Sequence, residues 1–237
     1  MKNSEKILLP GLTRQLKYLY KNIEINDFNI LVIGSGNVQV AKLLQSKSGE
    51  NVDIIVEDYD SLINSKLLLS ENTDVQVKLM DFERTDYDNE TFDLIFAQGS
   101  ISNFRRNKIV KEIKRILKPD GYFSVGEVTK LQGELPNFVN EIFEYSEIKP
   151  LLSSELKKYY TERNFEIIDQ ADLSYTLKEY YSINLSKLRT EEKKLTENEK
   201  TYYKKLLKKI RHESNAYLKH GADKFIGFET LLLKKSV

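Results

Sequence analysis

Cysteine is absent from the 237 residues, which excludes disulfides, thiolate metal sites and a cysteine nucleophile. Histidine is scarce, with His212 and His220 the only two. Carboxylates and imidazoles do not cluster at ligand spacing either, so a bound catalytic metal is not expected. An excess of one charge is also missing. Lysine and arginine number 37 against 36 acidic residues, and the net charge of +1 implies neither a nucleic-acid partner nor an acidic substrate. No apolar run approaches the roughly 20 residues that span a bilayer. Ile7-Leu8-Leu9 is too short for a signal-peptide core and is stopped by Pro10-Gly11. The expectation is a cytoplasmic protein with no membrane span, of a length that suits one enlarged α/β domain. Oligomeric state is not readable.

What is present is a strand-forming run that ends in glycine. Ile30-Leu31-Val32-Ile33 leads into Gly34-Ser35-Gly36, helix-like sequence follows over residues 38–44, and a second apolar run over 52–56 ends on Glu57-Asp58. Strand, glycine turn, helix and strand within about 30 residues form the unit that binds nucleotide-like ligands. Glycine lets the backbone approach a ligand where a Cβ would clash. A carboxylate at the tip of the second strand can accept hydrogen bonds from both hydroxyls of a ribose. The glycines alone do not name the ligand. Residues 32–38 also read much like an NAD loop, with Gln39 in place of its third glycine, which leaves an NAD-dependent oxidoreductase open.

Along the rest of the chain, strands and helices alternate. Leu12, Leu16, Leu19 and Tyr20 at helical spacing predict a helix before the glycine strand. Leu62, Ile63, Leu67 and Leu68 mark one face of another. Residues 75–79 alternate as a strand ending near Met80-Asp81, and residues 92–97 form a buried strand ending at Gln98-Gly99. Ile109, Ile113, Ile116 and Leu117 predict an amphipathic helix stopped at Pro119-Asp120-Gly121, with a fifth strand over 122–128. Helices are expected at 137–148 and 154–163, strands at 165–168 and 225–233. Between the last two lies a helical stretch, 176–220, with a capping-box signal at Thr196 and Glu199 and a stop at Gly221. The pattern predicts a Rossmann-like, mostly parallel seven-stranded α/β sheet with helices on both faces. Residues 1–27 form a helical cap, and 176–220 are an insertion on the same single domain.

At this point the order of elements resembles the class I S-adenosylmethionine-dependent methyltransferases over residues 28–130. The segment 112–121, with its Leu117-Lys118-Pro119-Asp120-Gly121 turn, is similar to the helix, Leu-Lys-Pro-Gly-Gly turn and fifth strand of the small-molecule members. The resemblance implies that S-adenosylmethionine is the cofactor. Its methionyl and ribose part would lie on Gly34, Ser35 and Gly36, its ribose hydroxyls on Glu57 with Asp58 beside it, and its adenine against Asp81 and Phe82. Gln98 and Gly99 would lie near the transferred methyl. Asp58 has a second reading, as the solvated start of the next helix. Two departures stand out: Val32 occupies the position where the family usually carries an acidic residue, and Val38 replaces a third glycine. They leave open a catalytically degenerate, binding-only protein.

The acceptor is a small molecule in this reading, with an oxygen, nitrogen or carbon nucleophile, and no catalytic base is identified. Candidate acceptor residues are Tyr18, Tyr180, Tyr181 and His220, the last two tyrosines and the histidine lying in the helical insertion. That insertion is expected to form the lid over the acceptor. Lys204, Lys205, Lys208 and Lys209 make one face of that insertion basic, which keeps an RNA methyltransferase as an alternative. No Asn-Pro-Pro-Tyr tetrapeptide follows the fourth strand, which argues against methylation of a base amine. A nucleic-acid partner is therefore not the expectation.

Overall fold

The computed structural model describes residues 7–69 and 74–236. Its strands are β1 (Ile30–Ile33), β2 (Val52–Val56), β3 (Val75–Leu79), β4 (Phe92–Gln98), β5 (Leu117–Lys130), β6 (Leu151–Leu152), β7 (Phe165–Asp172) and β8 (Ile226–Lys235). Its α-helices are α1 (Arg14–Asn22), α2 (Val38–Ser48), α3 (Tyr59–Leu68), α4 (Arg106–Ile116), α5 (Asn137–Tyr145), α6 (Leu156–Thr161), α7 (Leu177–Glu192), α8 (Glu197–Tyr202) and α9 (Lys204–Lys219). The seven expected strands run in the order β3-β2-β1-β4-β5-β8-β7, and the two-residue β6 adds to the end of β5. All pairings are parallel except those of β8, which is antiparallel to both neighbours.

Continuous apolar runs became central strands because both faces of the sheet are covered. Leu16 and Leu19 of α1 pack with Val40, Ala41 and Leu44 of α2 on one face. Ile109, Ile113 and Ile116 of α4 and Leu156 and Tyr160 of α6 cover the other. A third cluster joins α5, α7 and α9 to Val128 of β5 and to Ile226 and Phe228 of β8. The helical insertion therefore rests on one end of the sheet. No helix of the described residues is long and apolar enough to cross a membrane.

Three local expectations are corrected. Of the apolar face expected on α3 only Leu62 packs against the core, while Ile63 is 42%, Leu67 78% and Leu68 60% exposed. This helix leads to the edge strand β3, and only Ser65 along it is buried. Next, α4 stops at Ile116 rather than at Pro119, and β5 starts at Leu117. Phe92 pairs with Leu117 and Leu94 with Tyr122, so the turn is absorbed as an irregularity inside the strand. Asp120 takes a left-handed φ of 62° there, a conformation aspartate adopts more readily than most residues, and its carboxylate lies 2.9 Å from Lys234 Nζ. Finally, α8 does begin after Thr196, but the Glu199 side chain of the expected capping box lies outside the described residues.

One buried polar network ties these layers together. Glu127 of β5 is fully buried. Its Oε1 accepts from the Tyr160 hydroxyl at 2.6 Å and lies 3.0 Å from Arg106 Nε, and its Oε2 accepts from Ser102 Oγ. Arg106, itself buried, also donates to the Lys149 carbonyl at 2.7 Å. The start of α4, the loop before it, α6 and the loop after α5 all converge on this carboxylate. Glu127→Ala would leave the Arg106 guanidinium buried without its counter-charge and should lower stability by about 3–5 kcal/mol. Urea unfolding followed by circular dichroism checks this, and a loss below about 1 kcal/mol would show that the network is not a structural tie.

Candidate functional site

The register of the central strands determines where a ligand can lie. Ile33, at the end of β1, is level with Ile55 of β2 and Ala97 of β4. The chain therefore leaves all three strands at the same edge, where the strand order reverses between β1 and β4. Open α/β sheets bind ligands in the crevice outside the carboxyl ends at such a point. A cavity of about 240 Å³ opens here, lined by Glu57, Gly99, Ser100, Asn103 and Arg105 among others, with Ser146, Glu147 and Ile148 as its far wall.

The two glycines of the loop have different constraints. Both have left-handed φ, 114° at Gly34 and 76° at Gly36. A Cβ on Gly34 would fall 2.5 Å from Ser100 Cβ, so this glycine is needed for the loop to pack against the segment after β4. A Cβ on Gly36 would meet nothing nearer than Leu9 Cδ2 at 3.5 Å. That is an ordinary contact distance, so the left-handed φ rather than crowding favours glycine at this position. Asn37 closes the loop from within. Buried, it donates from Nδ2 to the Gly34 carbonyl at 3.0 Å, while Ser100 Oγ donates to the Ile33 carbonyl at 2.7 Å. Val32 is fully buried in the apolar core and supplies only packing.

Glu57 directly follows β2. Its Oε1 accepts the Phe82 amide at 2.9 Å, and its Oε2 accepts from Arg105 Nη2. The Arg105 guanidinium also lies 3.5 Å from Asp81 and 3.5 Å from Glu83. Its hydrogen bond to Glu57 is the main cause that raises its pKa, which keeps it charged. Asp81 is half exposed and takes the Glu83 amide at 2.9 Å. The Phe82 ring, expected to help bury an adenine, packs instead in the core under α4, so only its backbone faces Glu57. Asp58 fits its second reading. Its Oδ1 accepts the Ser61 amide at 2.7 Å and caps α3.

Gly99 lines the cleft, whereas Gln98 does not. Gln98 is buried, and its Nε2 donates to the carbonyls of Pro10 at 2.7 Å and Leu12 at 2.8 Å. It thus anchors the N-terminal segment, whose Leu9 lies over Gly36 and whose Pro10 lies over Gly99. Gln15 of α1 braces the same segment by donating to the Ala97 carbonyl at 3.1 Å.

None of the four acceptor candidates lines the cleft. Tyr18 packs with α1 against the sheet, where burial and the nearby Asp169 push its hydroxyl pKa up. Tyr181 stacks on Tyr217 at 4.6 Å and meets Tyr180 edge-on at 5.0 Å within the cluster under the helical insertion. Burial pushes the Tyr180 hydroxyl up to about 12. His220 closes α9 and shares with His212 an open groove between α5 and α9. The residues that sequence reasoning missed are Asn37, Ser100, Ser102 and Arg105. Their roles depend on contacts across 65 or more positions for Ser100 and nearly 50 for Arg105, which no local pattern reports.

Residues 31–125 match the family model described as a methyltransferase domain. No curated protein matches the sequence. Among solved structures, geranyl diphosphate C-methyltransferase from Streptomyces coelicolor is 13% identical, with a TM-score of 0.69 over 94% of this chain and 79% of that one. Phosphoethanolamine N-methyltransferase 2 from Haemonchus contortus, solved with S-adenosyl-L-methionine, is 15% identical, with a TM-score of 0.76 over 95% of this chain and 53% of that one. The cyclopropane synthase MmaA2 from Mycobacterium tuberculosis is 13% identical, with a TM-score of 0.74 over 93% and 83%. At these identities the likeness is one of fold.

The contrast between the glycines is testable without a ligand. Gly36→Ala should cost about 1–2 kcal/mol, the penalty of a left-handed alanine. Gly34→Ala should cost about 1–3 kcal/mol more, because its Cβ overlaps Ser100. Equal losses of stability in denaturant titrations would show that the two positions are equally confined.

Proposed function

We infer that this chain, whose residues 31–125 match the family model of a methyltransferase domain, transfers a methyl group from S-adenosylmethionine to a small-molecule acceptor. The observation that carries this reading is that the glycine loop and the Glu57 carboxylate leave neighbouring parallel strands at the strand-order reversal. These residues fit the cofactor. Glycine at 34 and 36 keeps side chains off the loop backbone, and Glu57 suits two ribose hydroxyls. Asp81, beyond the end of the neighbouring strand β3, would accept from an adenine amino group. When bound, S-adenosylmethionine supplies an electrophilic methyl group on sulfur.

The protein's part in such a reaction is positioning and exclusion of water. Leu9 and Pro10, held down by Gln98, cover the glycine loop and Gly99. The opposite wall, Ser146 to Ile148 with Asn103 and Phe104, is the side from which an acceptor would approach. Ser102, just beneath, is fixed because its hydroxyl donates to Glu127 and accepts the Val128 amide at 2.9 Å. The fold relatives acting on geranyl diphosphate and on phosphoethanolamine support a small acceptor rather than a macromolecule.

One observation favours a second reading, a protein that binds the cofactor without turnover. Val32 offers no carboxylate for the methionyl ammonium, and the Gly34 carbonyl is already engaged by Asn37. Both readings require the same ligand. Isothermal titration with S-adenosylhomocysteine should show binding to the wild type. Glu57→Ala should weaken it by about 2 kcal/mol, near 30-fold, as loss of a charged hydrogen-bond acceptor does. Unchanged affinity in the variant would remove Glu57 from the site. Transfer of labelled methyl to any small nucleophile in a panel would exclude the binding-only reading.

A further inference from the structure

Arg105 is the best-placed cation at the cleft, and it holds the group the cofactor needs. Its Nη2 donates to Glu57 Oε2, while the Phe82 amide already occupies Oε1. Both oxygens of the ribose-binding carboxylate are therefore engaged. The same guanidinium lies 3.5 Å from Asp81, the residue read as the adenine partner, and 3.5 Å from Glu83. Glu83, which is not among the residues read as holding the cofactor, is also paired with Lys108 at 2.9 Å.

We propose that Arg105 is a built-in competitor of the cofactor. It pairs with Glu57 in the ligand-free protein, and cofactor entry exchanges that pair for ribose hydrogen bonds, leaving the guanidinium on Glu83. This rests on the reading of the cleft as an S-adenosylmethionine site. The exchange needs only a side-chain swing. Arg105 is the residue before α4, its side chain is about one-quarter exposed, and its second carboxylate is already within 3.5 Å. Arg106 next to it is locked by Glu127, so the helix start stays fixed while Arg105 turns. A ligand that must displace a resident partner binds more weakly by the fraction of molecules in which the site is free. The arginine thus sets cofactor affinity without touching the reacting atoms.

The test is calorimetric titration of S-adenosylhomocysteine into wild type, Arg105→Gln and Lys108→Gln. Arg105→Gln should bind about two- to fivefold more tightly than wild type, the range of a partly exposed ion pair. Lys108→Gln, which removes a charge from Glu83 and leaves it freer to take the Arg105 guanidinium, should gain less than Arg105→Gln. On a Glu57→Gln background, Arg105→Gln should bring no gain. Equal or weaker binding by Arg105→Gln, with a wild type that binds, would overturn the proposal and leave the cofactor reading intact. An equal gain in Lys108→Gln would also overturn it, as an effect of general charge. Binding by neither wild type nor Arg105→Gln would take the proposal and the cofactor reading down together.

Discussion

Parallel pairing of β1 with both β2 and β4, in a register that ends all three strands at one edge, is the constraint on which the site depends. Because the strand order reverses there, the loops after these strands diverge above and below the sheet and leave a crevice between them. Gly34 is forced by Ser100, across that crevice, and Glu57 is held by the Phe82 amide from β3's exit. Shifting β2 by one residue would turn Glu57 to the opposite face and break the site even with every residue present.

The central strands were legible because each is an unbroken apolar run too short for a helix and followed by turn residues. The glycine loop and Glu57 were legible for a related reason: a motif whose parts lie within one strand–helix–strand unit is also compact in sequence. The exposed face of α3 was not, since apolar residues at helical spacing indicate a face but not whether any element covers it. Phe82 shows a similar limit. The resemblance implied that its ring helps hold an adenine, yet the ring found the core and left its amide to the site. Tyr180 and Tyr181 were drawn into packing between α7 and α9.

Arg105 was invisible for a different reason. One arginine among 37 basic residues carries no local signal, and its meaning comes only from the three carboxylates that β2, β3's exit and the start of α4 bring around it. Glu127 is a parallel case in the interior. A lone glutamate in a strand reads as a solvated position, but here Tyr160, Ser102 and Arg106 converge on it and fasten the loop that lines the cleft. Ionic groups thus shape this site from both sides, one pair fixed in the core and one exchangeable at the mouth.

The most direct measurement is a crystal structure with S-adenosylhomocysteine bound. It should place both ribose hydroxyls on Glu57, the backbone of Gly36 against the ligand, the adenine beside Asp81, and the Arg105 guanidinium turned to Glu83. A ligand bound elsewhere on the sheet, or one in the cleft with Glu57 still paired to Arg105 and no contact to the ribose, would contradict the account.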